Sequence, residues 1–465
     1  MNQHIQRIFN LQKAHCLTLR ISSPSQRISK LRKLTNLIQN YEPFIFEALE
    51  KDLGKSKFES ALSEVYLVYA EINFAIKHLS SWMNYRKVNS TMSSLLSKNR
   101  IYYEPKGVAL IIAPWNYPFQ LLFSPLVSAI AAGNCVMLKP SEISLETSKL
   151  IAKMISEHFD EKEVACIEGD REVATELLNL PFDHMFFTGG TEVGKVVMTA
   201  AARHLSTVTL ELGGKSPAII DHQVNLRKAV EKIIWGKFLN AGQTCIAPDY
   251  VLIRPQQQEE FLKLAQATLD KLYYSNGSLD EKSYGKIINQ QHYERLNDLI
   301  LNTVSQGAQV SIGGKTHLDK QILEPTILSN VPADSALMCE EIFGPVLPIV
   351  TYNNLDEAIR FVNERPKPLA LYIFSENNVS VDRVIKQTSS GGVTVNDIAI
   401  HFANPNMPFG GVGASGMGSS HGFFGFKAFS HERAVTLQSG IDFNRFAYPP
   451  YGEKQGLLKW LKKVL

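Results

Sequence analysis

Three residues have side chains that could together carry covalent catalysis: Cys245 in "FLNAGQTCIAPDY", Glu211 in "TVTLELGGKSP" and Asn116 in "APWNYP". A thiol becomes a strong nucleophile once it loses its proton. An acyl group parked on it must be removed by activated water, and a carboxylate can serve as that base. An amide held between prolines can donate to a developing oxyanion. Each residue also has an ordinary structural role open to it: a packing cysteine, a solvated carboxylate at a strand end, an asparagine capping a turn.

Two further segments could serve a bound dinucleotide, though alone each reads as readily as a plain turn or a solvated pair, and a third carries adjacent carboxylates. In "FFTGGTEVGKVVMTAAARHL" an apolar strand enters Gly189-Gly190-Thr191, and Val193, Val196, Val197 and Ala200 then recur at helical spacing. A glycine turn feeding a helix start offers free N–H groups and a dipole that favours an anion. The pattern is G-x-T-x-x-G, ending at Gly194, and not G-x-G-x-x-G. In "MLKPSE", Lys139 and Glu142 follow another strand, where a lysine and a carboxylate can bind ribose hydroxyls. In "CEEIFGP", one of Glu340 and Glu341 is expected to point inward.

The elements that must position these residues follow the same logic. The first hundred residues read as helical, with Leu62, Val65, Tyr69, Ile72, Ile76 and Leu79 spaced on one face. The polar stretch around 82–101 suggests a protruding hairpin. From residue 107, short apolar runs ("GVALIIAP", "NCVMLKP", "HMFFTGG", "STVTLELGG") alternate with helical segments, which predicts an α/β domain with a mainly parallel sheet. A second such set follows Cys245. The tract 408–422 reads as a long Gly-rich loop and 433–438 as a last strand. Residues 107–138 carry no charge and could be mistaken for a membrane span. Pro114, Pro118 and Pro125 make a buried strand, a loop and a buried helix the better account.

With 465 residues, 45% apolar and 20% charged, the chain has the composition of an ordinary globular protein of more than one domain. A net charge of +3 gives no basic field suited to nucleic acid. The five cysteines are scattered, without C-x-x-C pairs or zinc spacing, which fits a reducing, cytoplasmic setting and no metal. The last residues, "GEKQGLLKWLKKVL", can form a basic amphipathic helix, docked on the body or a partner subunit, or else touching a membrane surface.

Together, "PWNYP", "VMLKPSE", "FTGGTEVGK", "LELGGKSP", "GQTCIAPDY", "EEIFGP" and "PFGGVGASGMG" resemble the aldehyde dehydrogenase superfamily over residues 1–440, and its class 3 branch most. The resemblance implies a Rossmann-type cofactor domain (1–81 and 102–212), an α/β catalytic domain (213–415), a small β bridging element (82–101 and 430–440) and a tail (441–465). It implies a homodimer, an aldehyde substrate and NAD, which Glu142 favours, with NADP as the alternative. Cys245 would be the nucleophile, Asn116 the oxyanion donor and Glu211 the base. Lys139 and Glu142 would hold the adenosine ribose, and Gly189, Thr191 and Gly194 would shape the phosphate turn. Glu341 would bind the nicotinamide ribose beside Phe343. Tyr66, Tyr117, Trp235, Ile400, His401 and Phe402 would line a tunnel without Arg or Lys, suited to a medium-chain aliphatic or aromatic aldehyde. Release of the acyl group to coenzyme A is a rival that Glu211 argues against, as is an inactive cofactor-binding protein. Two positions depart from the family pattern: Gly190 stands where a serine is usual, and Cys339 where a polar residue is expected.

Overall fold

The computed structural model describes residues 3–440 except 92, 93 and 95, and beyond them only 445, 448–454, 456, 458 and 462. The N-terminal helices are α1 (Gln3–Arg20), α2 (Pro24–Leu53) and α3 (Tyr66–Trp82). Ser23 and Gln26 form a capping box that starts α2, and Gly54, at φ 68°, ends it. Between α2 and α3 lies a turn of π-helix, Ala61–Val65. That extra residue per turn rotates the helical phase. The expected apolar stripe therefore fails at Leu62, which is exposed, while Glu64 swings fully inside.

Two short strands, β1 (Arg86–Val88) and β2 (Lys98–Pro105), form the expected hairpin, although β2 runs four residues past the predicted limit of 101. The strands that follow are β3 (Val108–Ile112), β4 (Cys135–Lys139), β5 (Val164–Cys166), β6 (His184–Thr188), β7 (Thr207–Glu211), β8 (Pro217–Ile220), β9 (Tyr250–Ile253), β10 (Gln309–Ile312), β11 (Thr326–Ser329), β12 (Val346–Thr351), β13 (Ala370–Phe374), β14 (Gly392–Val395), β15 (Gly416–Met417) and β16 (Ser430–Leu437). The first large sheet has the order β15-β7-β6-β3-β4-β5, parallel except for β15. The second has the order β10-β11-β12-β9-β8-β13-β14, parallel except for β10. A third small sheet joins β1, β2 and β16.

Strands buried on both faces need apolar residues throughout, and β3 shows the consequence. Ala109 and Ile111 enter one core with α2, α3 and the helices α4 (Gln120–Ala132) and α5 (Leu145–His158). Val108, Leu110 and Ile112 enter another with α1 and α6 (Thr191–His204). The uncharged run 107–138 is thus strand, loop, buried helix and strand. No helix among the described residues is long and apolar enough to cross a membrane. The amphipathic segment proposed for 456–465 lies mostly outside the described residues.

The glycine-rich tract 408–422 is more than a loop. Its residues Gly416–Met417 are β15, added antiparallel to the edge of β7, with Gly416 opposite Glu211. A side chain at Gly416, where φ is 136°, would place its Cβ 2.0 Å from the Leu210 carbonyl oxygen. The tract then returns through a bridge between Phe409 and Ser420. The segment after the second sheet's last strand therefore belongs partly to the first sheet.

Candidate active site

The segment carrying Cys245 follows helix α7 (Leu226–Phe238), which Asn225 caps. Three consecutive residues then take left-handed backbone: Asn240 (φ 52°), Ala241 (φ 50°) and Gly242 (φ 74°). For the two non-glycine residues this costs about 1–3 kcal/mol each. Hydrogen bonds maintain it. Asn240 donates its N–H to the Glu59 carboxylate at 2.9 Å and its side-chain amide to the Asn116 carbonyl at 2.9 Å. Gln243 is fully buried, donating to the Asn240 and Lys286 carbonyls and accepting from the Ile288 N–H. The turn ends with Tyr372 donating to the Ile246 carbonyl at 2.5 Å.

Cys245 therefore sits half-buried in a rigid turn. Burial pushes its thiol up to about 12, and the charges of Glu341 and then Glu211 push in the same direction. The N–H groups of Cys245 and Ile246 oppose this and favour the thiolate. Both carboxylates are thus close enough to the sulfur for their charges to act on it. Asn116 is buried in the middle of the loop between β3 and α4, and its amide donates to the Gln243 carbonyl at 3.0 Å. That bond uses one of two amide hydrogens and orients the other. Next to it, the Tyr117 hydroxyl meets Thr244 Oγ1 at 2.7 Å.

Glu211 ends β7, inside the protein. Its Oε1 accepts from the Ser420 hydroxyl at 2.9 Å, and Oε2 has no partner among the described residues. Burial raises its carboxyl to about 8, with the Ser420 bond pulling the other way. A buried carboxylate oxygen without a partner is costly to keep unless a reaction uses it. Ser420→Ala removes the one donor that favours the ionised form, so the pH at which a base-limited turnover rises should shift upward. A pH profile of steady-state kcat checks this; an unmoved midpoint would separate Ser420 from the base.

Glu341 is the inward member of its pair, as expected, while Glu340 meets Arg295 at the surface. Glycine at 213 makes room for it: a Cβ there would lie 2.1 Å from Glu341 Oε2. Burial raises the Glu341 carboxyl to about 8, and the nearby charge of Asp249 adds to the rise. Lys215 and Asp249 form a buried ion pair that grips the same segment. Lys215 donates to the Leu337 and Glu340 carbonyls, and Asp249 accepts from the Ile342 N–H. Phe343, at φ 49°, packs edge-on against Trp115. Cys339 is exposed.

At the phosphate turn, α6 begins at Thr191 with Gly190 as its cap. The cap has no side-chain hydrogen bond, nothing lies within 4 Å of where a Gly190 Cβ would be, and Gly189 donates to the Glu211 carbonyl at 3.0 Å. The expected apolar stripe on α6 needs correction. Gly194, Val197, Ala200 and Ala201 face the core, whereas Val193 and Val196 are exposed beside the turn. Lys139 is buried at the end of β4 and pairs with the half-exposed Glu142. The Thr191 hydroxyl donates to the Ala414 carbonyl at 3.1 Å. An open helix start, a flat apolar face and a lysine–carboxylate pair fit a dinucleotide's phosphate, base and ribose.

The residues expected to line a tunnel are brought together in part. Phe402 packs edge-on against Phe409 and His421, and His401 is buried, bonded to Thr394 at 2.7 Å. Burial lowers the His401 and His421 rings to about 4, so both are neutral. Tyr66, Trp235 and Ile400 are exposed. Helix α7, which bears Trp235, is tied to the 396–402 turn by Lys232 and Asp397 at 2.6 Å. Sequence reasoning missed Ser420, Thr244, the Lys215–Asp249 pair and the Lys55–Glu64 pair described below. Among the described residues, no group of acidic, histidine and cysteine side chains could hold a metal ion.

Two mainly parallel sheets, with an open helix start on the first and a rigid cysteine turn near the buried Glu211 and the inward-pointing Glu341, suit a cofactor-dependent oxidoreductase with covalent catalysis. Comparison with known proteins agrees. The aldehyde dehydrogenase family model matches residues 2–435. The 4,4'-diaponeurosporen-aldehyde dehydrogenase of Staphylococcus aureus is 44% identical, over 98% of this chain and 98% of its own. Aldehyde dehydrogenase family 3 member B2 of Mus musculus is 45% identical, over 93% and 90%. The structure of the substrate-bound state of Staphylococcus aureus AldH superposes with a TM-score of 0.95 at 44% identity, covering 99% of this chain and 100% of that one. The chain belongs to the aldehyde dehydrogenase family, near its class 3 members. It oxidises aldehydes with NAD(P) through a catalytic cysteine and a thioester.

Proposed function

We propose that Cys245 is that cysteine, Asn116 the oxyanion donor and Glu211 the base that frees the acid. The supporting observation is the thiol's place beside two inward carboxylates, with Asn116 anchored to the same turn through Gln243. The Cys245 thiol gives its proton to solvent water, and its sulfur attacks the aldehyde carbon. The free hydrogen of the Asn116 amide and the Cys245 N–H hold the resulting oxyanion. When bound, NAD(P)+ supplies the acceptor for the hydride that leaves this carbon. A thioester on Cys245 remains. Glu211 Oε2 then takes a proton from water, whose oxygen attacks the thioester; the carboxylic acid leaves and the sulfur is restored.

In the same reading, Lys139 and Glu142 hold one ribose, Gly189, Thr191 and Gly194 shape the phosphate turn, and Glu341 with Phe343 receives the nicotinamide ribose. The same reading divides the chain into a cofactor domain (1–81 and 102–212), a catalytic domain (213–415) and a bridging element (82–101 and 430–440), and the presence of three separate sheets supports it. The bridge borrows the rest of β2, and β15 joins the first sheet. The exposed edge strand β16 supports a homodimer. Tyr66, Tyr117, Trp235, Ile400, His401 and Phe402 bring no formal positive charge to the tunnel, and both buried histidines are neutral at physiological pH. We therefore assign a medium-chain aliphatic or aromatic aldehyde as substrate. Initial rates with hexanal, benzaldehyde and succinic semialdehyde, each with NAD and NADP, test this; hexanal and benzaldehyde should have the higher kcat/KM. Preference for the semialdehyde would overturn the substrate assignment.

A further inference from the structure

Beneath the proposed oxyanion loop lies an ion pair with no exposure at all. Lys55 Nζ meets Glu64 Oε1 at 2.6 Å, and both side chains are completely buried. Each partner also grips the loop between β3 and α4. Lys55 donates to the Asn116 backbone carbonyl at 2.9 Å, while Glu64 Oε2 accepts from the N–H groups of Phe119 at 3.1 Å and Gln120 at 2.9 Å. The lysine also lies 3.9 Å from the centre of the Tyr117 ring. The Asn116 carbonyl takes its second bond from Asn240, and the Asn116 amide donates to Gln243. The ion pair, the oxyanion loop and the nucleophile turn are thus one connected network. Two backbone irregularities deliver the pair: the left-handed Gly54 turns the chain just before Lys55, and the π-helical turn points Glu64 inward.

Burying two charges costs desolvation, and an apolar pair of similar volume would often serve stability as well. We propose that Lys55 and Glu64 are positioning residues, which hold Asn116 where its free amide hydrogen meets the oxyanion. The inference rests on the reading of Asn116 as oxyanion donor. Lys55→Met/Glu64→Gln removes the hold on the Asn116 carbonyl, keeps an oxygen for Phe119 and Gln120, and removes both charges of the pair together; Glu59, which also feels the Lys55 charge, keeps its bond from the Asn240 N–H. Rapid mixing with aldehyde and NAD should show a burst of reduced cofactor roughly 10–100-fold slower, part of what loss of an oxyanion donor costs. Aldehyde KM, NAD binding and the melting temperature should stay near those of the parent enzyme. Asn116→Ala should slow the burst about 10²–10³-fold, and adding the double substitution to it should slow it no further, because residues acting through one another are not additive. A parental burst rate in the folded double variant, or full additivity with Asn116→Ala, overturns the inference. If the double variant does not fold, Lys55→Met alone, which removes the bond to the Asn116 carbonyl and leaves a carboxyl that can take up a proton, runs the same cycle, and a parental burst or an additive loss overturns the inference there too. An undiminished burst in Asn116→Ala would instead sink the oxyanion reading itself.

Discussion

Cys245→Ala eliminates aldehyde-dependent reduction of NAD(P), a loss on the order of 10⁵-fold or more, as removal of a covalent nucleophile causes elsewhere. Binding of the cofactor, followed by fluorescence or calorimetry, stays at the parental level because Cys245 lies in none of the proposed cofactor contacts. Burial and the charges of Glu341 and Glu211 raise the Cys245 thiol, so at neutral pH the free enzyme holds it mainly protonated. Alkylation of this sulfur in the free enzyme should therefore be slow and should accelerate as pH rises. Cys339 is exposed and will react independently, so peptide-level detection is needed to tell the two apart. Residual oxidation by Cys245→Ala above a few parts in 10⁴ would show that another residue forms the covalent bond.

Glu211→Gln has a different signature. Attack and hydride transfer do not consume the base proposed for hydrolysis, so the first turnover should still release a burst of reduced cofactor. Steady-state turnover should then fall by roughly 10²–10⁴, the range assigned to a general base. Undiminished steady-state rates would remove Glu211 from the mechanism. The same variant reports on stability. The Glu211 carboxyl is raised to about 8 in the folded protein, against about 4.3 unfolded. The folded state therefore holds its proton more tightly. Any stability so gained is complete below about pH 4 and is lost as pH rises through about 8. Glutamine cannot ionise, so Glu211→Gln should melt above the parental enzyme at pH 8 and higher, with the difference closing towards pH 4.

Much of this site was legible in the sequence because each legible feature is local. Apolar runs buried on both faces identified β3, β4 and β6, and a strand running into a glycine turn located the start of α6. What escaped depends on phase or on contacts distant along the chain. Helical spacing assumes a constant rotation per residue, so the π-helical turn both exposed Leu62 and hid Glu64. On α6 the spacing of apolar residues could not distinguish Val197, facing the core, from Val193 and Val196, left exposed beside the phosphate turn. Ser420 lies more than two hundred residues from Glu211, and only the antiparallel return of the glycine-rich tract brings them together.

That return has an evolutionary consequence. Loops ordinarily absorb insertions and substitutions with little effect, and residues 408–422, rich in glycine and serine, look like such a place. Yet Gly416 pairs with Glu211, Ser420 bonds to it, and the Phe409–Ser420 bridge fixes the span between them. Lengthening the tract by one residue between 409 and 420 would carry the serine away from the carboxylate while leaving both cores intact. The tract should therefore drift more slowly than the buried strands, where one apolar residue can stand in for another.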